Sequence, residues 1–343
     1  MDAAKFSLNY ENELEYIYET LVEGTCDYFS KNGFNRAVLG LSGGLDSAVA
    51  AVLLADALGA ENVYGLAMPS SITHEGSNDE AFALAQNLGI NYIKVPVNSA
   101  VEAVEALCNG AFSEMAARWN ETPEEKITAE NLQARMRATL LWQTANAFKG
   151  TIPIATSDKS EIYIGYTTVN GDMSGGLAPL AEVTKTKVRA LARWMNLNRA
   201  NKNAPAGRQA CVPQPAGSSQ RAIPENTIMK PSSAELSLHP ETGKSITADE
   251  ANGPEAFRDE IIWRIENRLM IEGEYLAERM ARGEFEPQNI YEQDALNQLK
   301  NFTSDPISDE DKEKWIEHFF TSAKKAIFKR SILPPCIIIP PRK

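Results

Sequence analysis

The stretch that decides the fold is Ala37-Val-Leu-Gly-Leu-Ser-Gly-Gly-Leu-Asp-Ser47. Ala37–Ser42 is a short apolar run that breaks at glycines, the pattern of a buried strand. Residues 47–58 are rich in Ala and Leu and stop at Gly59, which reads as a helix with glycine past its end. Between them, Gly43 and Gly44 let the backbone turn sharply and come close to a ligand. The helix that follows offers unpaired N–H groups and positive potential, a site suited to phosphate. Ser42 and Ser47 add hydroxyl groups, and Asp46 can hold a divalent cation that neutralises phosphate charge. The spacing Gly-x-x-x-x-Gly-Lys-Ser/Thr is absent, so this is not a Walker A loop.

Outward from that stretch, strand and helix patterns alternate. Leu14, Ile17, Tyr18, Leu21 and Val22 give residues 10–30 the spacing of an amphipathic helix. Asn62–Met68 reads as a strand, Asp79–Leu88 as a helix stopped by Gly89, and Ile90–Val97 as a strand. Thr128 is placed to cap a helix running to about Phe148, and Thr151–Thr156 and Lys185–Met195 predict a further strand and helix. Alternation of this length implies parallel pairing, hence an α/β, doubly wound open sheet with helices on both faces. Ligands of such sheets bind at the carboxyl ends of the strands, where the loop after Ser42 lies. Residues 198–222, rich in Asn, Ala, Gly, Pro and Gln, read as a long mobile loop, either a lid or a disordered insertion. Residues 308–330 predict a helix opened by Ser308 and ending in Lys324, Lys325, Lys329 and Arg330, a polarity that complements the helix dipole.

The whole-chain balance narrows the functional classes. The chain has 34 basic and 46 acidic residues, a net charge of −12, and its pI is near 5.0. That argues against a protein whose main work is gripping a nucleic-acid backbone, although it leaves room for a local anion pocket. Cys26, Cys108, Cys211 and Cys336 are far apart with no Cys-x-x-Cys pair, so a zinc site or disulfide framework is not expected and reduced thiols are the default. The acidic N-terminus lacks the apolar core of a signal peptide, and no run of about 18 apolar residues exists to span a bilayer. A cytoplasmic protein without membrane partners is expected.

Ser-Gly-Gly-x-Asp-Ser at positions 42–47 resembles the pyrophosphate-binding loop of the N-type ATP pyrophosphatases, which activate a substrate oxygen as its adenylate. Glu130-Asn-Leu-Gln-Ala-Arg-Met-Arg137, Thr156-Ser-Asp-Lys-Ser-Glu161, Gly165-Tyr166, Gly171-Asp172-Met-Ser-Gly-Gly176 and Thr184-Lys185 follow in the order seen in NAD synthetases. Ile223-Pro-Glu225 and Lys230-Pro-Ser-Ser-Ala-Glu-Leu236 look like a late block of that family, and Lys329-Arg330 with Pro334-Pro335 like its end. The resemblance implies a C–N ligase that amidates deamido-NAD to NAD with ATP, Mg²⁺ and ammonia, through an acyl adenylate. Carried over by position, it implies ATP contacts from Gly40, Leu41, Ser42, Gly43, Gly44, Leu45, Asp46, Ser47, Thr156, Lys185 and Ser233, with Asp46 and Lys185 catalytic. It places Mg²⁺ on Asp46 and Glu161 and deamido-NAD on Arg135 and Lys329, and it implies a homodimer. His74, His239 and His318 fall outside the matched blocks, so nucleophilic triad chemistry has little support.

Two departures bear on the dinucleotide. The small ammonia-dependent members carry a lysine and an aspartate where this chain has Val169 and Gly176, and its Gly-Asp-Met-Ser-Gly-Gly block looks more like glutamine-dependent members. Yet the residues before Ala37 are too few for a nitrilase-like glutaminase domain, so any glutaminase is expected to be a separate partner. The organisation expected is one synthetase domain over 1–343. Its core is about 10–197 and 223–236, and a mainly helical part covers 237–343. The competing readings are another adenylating pyrophosphatase acting on a different carboxylate or on tRNA, and a non-catalytic nucleotide-binding module. The acidic balance disfavours the tRNA substrate.

Overall fold

The computed structural model describes residues 3–73, 75–200, 222–231, 233–238, 245–268 and 308–340. The strand–turn–helix stretch forms as its sequence predicts. β1 (Arg36–Gly40) is followed by α2 (Leu45–Leu58), which ends at Gly59 in a positive-φ conformation. β1, β2 (Val63–Ala67), β3 (Asn91–Lys94) and β4 (Thr151–Ile154) make one parallel sheet in the order β3-β2-β1-β4. Val38 stands beside Tyr64 on one neighbour and Pro153 on the other, so β1 is central. The chain steps outward through β2 and β3, then returns to the other side of β1 with β4. That reversal creates a crevice at the carboxyl ends of β1 and β4, the position where open α/β sheets take ligands.

Helices cover both faces. α1 (Ala3–Asn32), α2, α3 (Glu75–Leu88) and α7 (Lys185–Ala200) share one core with Ala37 and Leu39 of β1. α2 is apolar all round because α1, α3 and α7 surround it: Val49 to Leu54 are wholly buried. On the other face Val38, Leu66 and Met68 meet Leu141 and Ala145 of α5 (Glu125–Ala147). α4 (Asn98–Trp119) lies against α5 and buries none of its own residues. Among the described residues no helix is long and apolar enough to cross a membrane.

Three expectations need correction. α5 begins at Glu125 with Glu124 as its N-cap, so Thr128 lies inside the first turn, where its N–H already bonds to the Glu124 carbonyl. The 308–330 helix breaks at Ala326 into α11 (Asp309–Lys325), capped by Ser308 as predicted, and α12 (Ile327–Arg330). Cys26 lies on the buried side of α1, and Cys108 and Cys336 are free. The first three residues of the 198–222 loop continue α7, and the expectation for 201–221 lies outside the described residues.

Several short elements complete the frame. α6 (Lys159–Ile164) follows β4, and α8 (Glu225–Met229) packs on α2 and α7. β5 (Ser233–Leu238) and β6 (Ser245–Thr247) form an antiparallel hairpin. α9 (Ala248–Asn252) and α10 (Glu255–Arg268) then lead to a second apolar cluster. There Phe257, Ile261 and Ile262 of α10 meet Phe319, Phe320 and Ala323 of α11 and Ile164 of α6. This cluster plants the C-terminal helices directly behind α6.

Because Leu54 is completely buried at the centre of α2, Leu54→Ala is expected to lower stability by about 2–5 kcal/mol in urea unfolding. A loss below about 1 kcal/mol would show that α2 is not the centre of the core.

Candidate functional site

Lys185 is the first residue of α7, where the helix dipole disfavours a cation, and its side chain is only 1% exposed. Three carboxylates account for its position. Its Nζ donates to Asp46 Oδ2 at 2.7 Å and Glu161 Oε1 at 2.9 Å, and lies 2.5 Å from Asp158 Oδ2. The three acids come from two helix starts. Asp46 is in the first turn of α2, Asp158 caps α6, and Glu161 lies in the first turn of α6. They hold Lys185 protonated, well above the usual lysine range, against the opposing effect of burial. Burial is also the main cause of the raised acid pKa values, about 6 for Asp46 and about 8 for Glu161, with the neighbouring Asp158 adding to both.

The adjoining turn is built for close approach. Gly43 has φ +74°, and a Cβ there would lie 2.1 Å from the Ser77 carbonyl oxygen at the start of α3. Ser42 Oγ accepts the Gly44 N–H, and Ser47 Oγ donates to the Gly44 carbonyl and sits 3.2 Å from Ser42 Oγ. Gly44 caps α2 without any side-chain bond, so the first N–H groups of a fourteen-residue helix are left to a ligand. Gly40 ends β1, Leu41 and Leu45 are buried anchors, and Thr156 is half-buried in the loop after β4. Asp46 lies on the helix with its side chain four-fifths covered, drawn inward by Lys185.

Arg135 and Lys329 are brought together on a different segment. Arg135 Nε donates to the Val169 carbonyl at 3.2 Å. Lys329 Nζ donates to the carbonyls of Gly165 (2.8 Å) and Thr167 (2.5 Å). Lys329 is thus more than a helix-end charge: it clasps the loop after α6, and burial lowers its pKa. Gly176 is close-packed, since a Cβ there would come 2.0 Å from Ile152 Cδ1. A larger residue at this position would require the Ile152 side chain to move. Ser233 begins β5, beside Thr247 of β6.

Sequence reasoning missed Asp158. It is fully buried, its Oδ1 accepts the Glu161 N–H at 2.9 Å, and it completes the cage around Lys185. An aspartate three residues before a glutamate at a helix start was the available signal.

The carboxylates of Asp46, Asp158 and Glu161 lie within 4.8 Å of one another. Three acids against one ammonium leave two negative charges uncompensated when all are ionised, and Asp46 Oδ1 is buried without a hydrogen-bond partner. Hard oxygen donors with excess negative charge suit Mg²⁺, so the residues present fit that ion.

Residues 17–252 match the family model for NAD synthase. Over 224 residues the chain is 41% identical to a glutamine-dependent NAD(+) synthetase of Rhodobacter capsulatus, covering 65% of this chain and 37% of that one. The chain spans about a third of the length of the curated relatives it matches. A glutamine-dependent NAD+ synthetase of Acinetobacter baumannii in complex with ADP superposes with a TM-score of 0.52 at 28% identity, covering 85% of this chain and 46% of the other. An NMN synthetase of Francisella tularensis shares the fold, with a TM-score of 0.55 at 22% identity over 85% of this chain and 98% of that one.

Raised carboxyl pKa values make cation binding a proton exchange. Glu161 is largely protonated at pH 7, so Mg²⁺ is expected to displace a proton and to bind more tightly as the pH rises from about 6 to about 8. Calorimetry in buffers of different ionisation enthalpy measures that proton. An affinity that stays flat across this range would contradict the carboxylate assignment.

Proposed function

The chain belongs to the NAD synthase family, and from that premise we propose that it converts deamido-NAD to NAD with ATP and ammonia, releasing AMP and pyrophosphate. The observation that carries the reading is the Lys185 cage beside the Gly43-Gly44 turn, at the carboxyl ends of β1 and β4. A nicotinate carboxylate is a poor electrophile, so ammonia cannot displace its oxygen unaided. In the reaction proposed, a carboxylate oxygen attacks the α-phosphorus of ATP, and the α–β bridging bond breaks to release pyrophosphate. The lone pair of ammonia then attacks the acyl carbon; the C–O bond to AMP breaks and a proton leaves the nitrogen.

In this scheme the turn Gly40–Ser47 binds the triphosphate through backbone N–H groups and the two serine hydroxyls, with Thr156 and Ser233 completing the ATP contacts. Lys185 stays protonated, because three carboxylates raise its pKa, and serves as a permanent cation for phosphate and not as a base. Asp46 and Glu161, with Asp158 behind them, would hold Mg²⁺, which neutralises charge on the phosphates when bound. Arg135 and Lys329, converging on residues 165–169, would orient deamido-NAD. The chemistry is therefore positioning and charge neutralisation, with no nucleophilic side chain.

The whole chain, residues 1–343, is assigned to one cytoplasmic synthetase domain that takes ammonia, free or from a glutaminase partner. A homodimer accords with α4, which buries none of its own residues and exposes Leu107 and Trp119. Incubation with ATP, Mg²⁺, ammonium and deamido-NAD is expected to yield equal amounts of NAD and AMP; ATP binding without either product would overturn the reading. Asp46→Ala is expected to lower turnover by roughly 100-fold or more. Its thermal midpoint should hold, because the substitution removes one acid from a cluster already rich in negative charge. Near-normal turnover in this variant would remove Asp46 from the metal site.

A further inference from the structure

The cage around Lys185 needs an anchor of its own, since three acids pull on a residue at the very start of a helix. That anchor is Asp259, on α10, seven residues beyond the segment that matches the family model. Asp259 is 6% exposed and uses both carboxylate oxygens. Oδ2 accepts the backbone N–H of Thr186 at 2.7 Å, and Oδ1 accepts the hydroxyl of Ser160. Ser160 Oγ in turn accepts the backbone N–H of Lys185 at 2.9 Å. Two first-turn N–H groups of α7 are thereby satisfied by one carboxylate, directly and through one hydroxyl.

Ser160 links the other side of the cage. It lies in the first turn of α6, between Asp158, two residues before, and Glu161, the next residue. Holding Ser160 fixes α6 at the turn that presents both acids. α10 is itself held in place. One turn before Asp259, Glu255 grips Arg189 of α7 with two bonds, Nε–Oε1 at 3.2 Å and Nη2–Oε2 at 2.9 Å. Phe257, Ile261 and Ile262 seat the same helix in the second core against Ile164 of α6. Glu255 and Asp259 are four residues apart, so both reach α7 from one face of α10.

We propose that Asp259 is a positioning residue for the adenylation: it locks the N-termini of α6 and α7 to each other and so sets the separation of Lys185 Nζ from the carboxylates of Asp158 and Glu161. It touches no substrate atom in this scheme, and the inference rests on the synthetase reading above. Since displacement of reacting groups by about 1 Å costs on the order of 100-fold in rate, Asp259→Ala should lower kcat by roughly 10–100-fold while the KM for deamido-NAD changes by less than about twofold. Asp259→Asn keeps an acceptor for the Thr186 N–H and a contact to Ser160, so it should restore most of that kcat.

The test is steady-state kinetics of the wild-type chain and these variants, with circular dichroism to confirm folding. A wild-type chain that forms no NAD sinks the synthetase reading. A wild-type enzyme that turns over beside a folded, fully active Asp259→Ala sinks only the positioning role, as does a loss confined to the KM for deamido-NAD. Should Asp259→Ala fail to fold, Ser160→Ala decides. It removes the hydroxyl that carries the bond to Lys185 and should show the same kcat loss, and wild-type turnover in that folded variant would overturn the proposal.

Discussion

The structure turns on one buried ammonium. Moving a lysine charge out of water costs on the order of several kcal/mol, which only close and well-bonded partners can offset. Lys185 has three, and each acid in turn depends on the lysine, since three carboxylates within 4.8 Å would otherwise repel one another strongly. The arrangement is complete as an ion cluster yet unbalanced in charge. That imbalance makes it a candidate for exchange: a divalent cation can take over the carboxylates while the ammonium turns to phosphate. In the reaction proposed, a chain with a net charge of −12 would handle anions without a basic surface, through glycine backbone, a helix N-terminus, a cation site and a few placed lysines and arginines.

The rest of the fold is the means of bringing those four residues together. The reversal between β1 and β4 places the loops carrying Gly43-Gly44 and Thr156–Asp158 side by side. α2, apolar all round, is fixed by the helices about it and carries Asp46 in its first turn. α6 and α7 present their N-termini to the same point, and Asp259 reaches in from a helix far along the chain to tie them. The segment proposed for the dinucleotide is built differently. There Arg135 and Lys329 grip backbone carbonyls of one loop, and Gly176 packs against the Ile152 side chain.

What could be read from the sequence was what is local. The strand–glycine–helix stretch at 37–58 is legible because apolar runs and adjacent glycines act over a few residues, and the parallel sheet follows from the alternation around it. Asp46, Glu161 and Lys185 were legible as members of ordered motifs, and the structure brings those three together. Asp158 offered only its cap spacing to Glu161 as a local signal; the complete burial that makes it matter is set by tertiary packing. Asp259 was hidden for a stronger reason: its partners are about 70 to 100 residues away. Thr128 misled because a good capping residue also fits inside a first turn when an upstream carbonyl accepts its N–H. α4 was passed over, since a helix that buries nothing has no core face to print in its sequence.

The most direct measurement is a crystal structure with Mn²⁺ and a non-hydrolysable ATP analogue, the metal located by its anomalous signal. The metal is expected on the carboxylates of Asp46 and Glu161, the phosphates over Gly43 and Gly44, and Lys185 Nζ turned from its acids to a phosphate oxygen. Phosphates bound elsewhere, with Lys185 still clasped by Asp46, Asp158 and Glu161, would contradict this expectation.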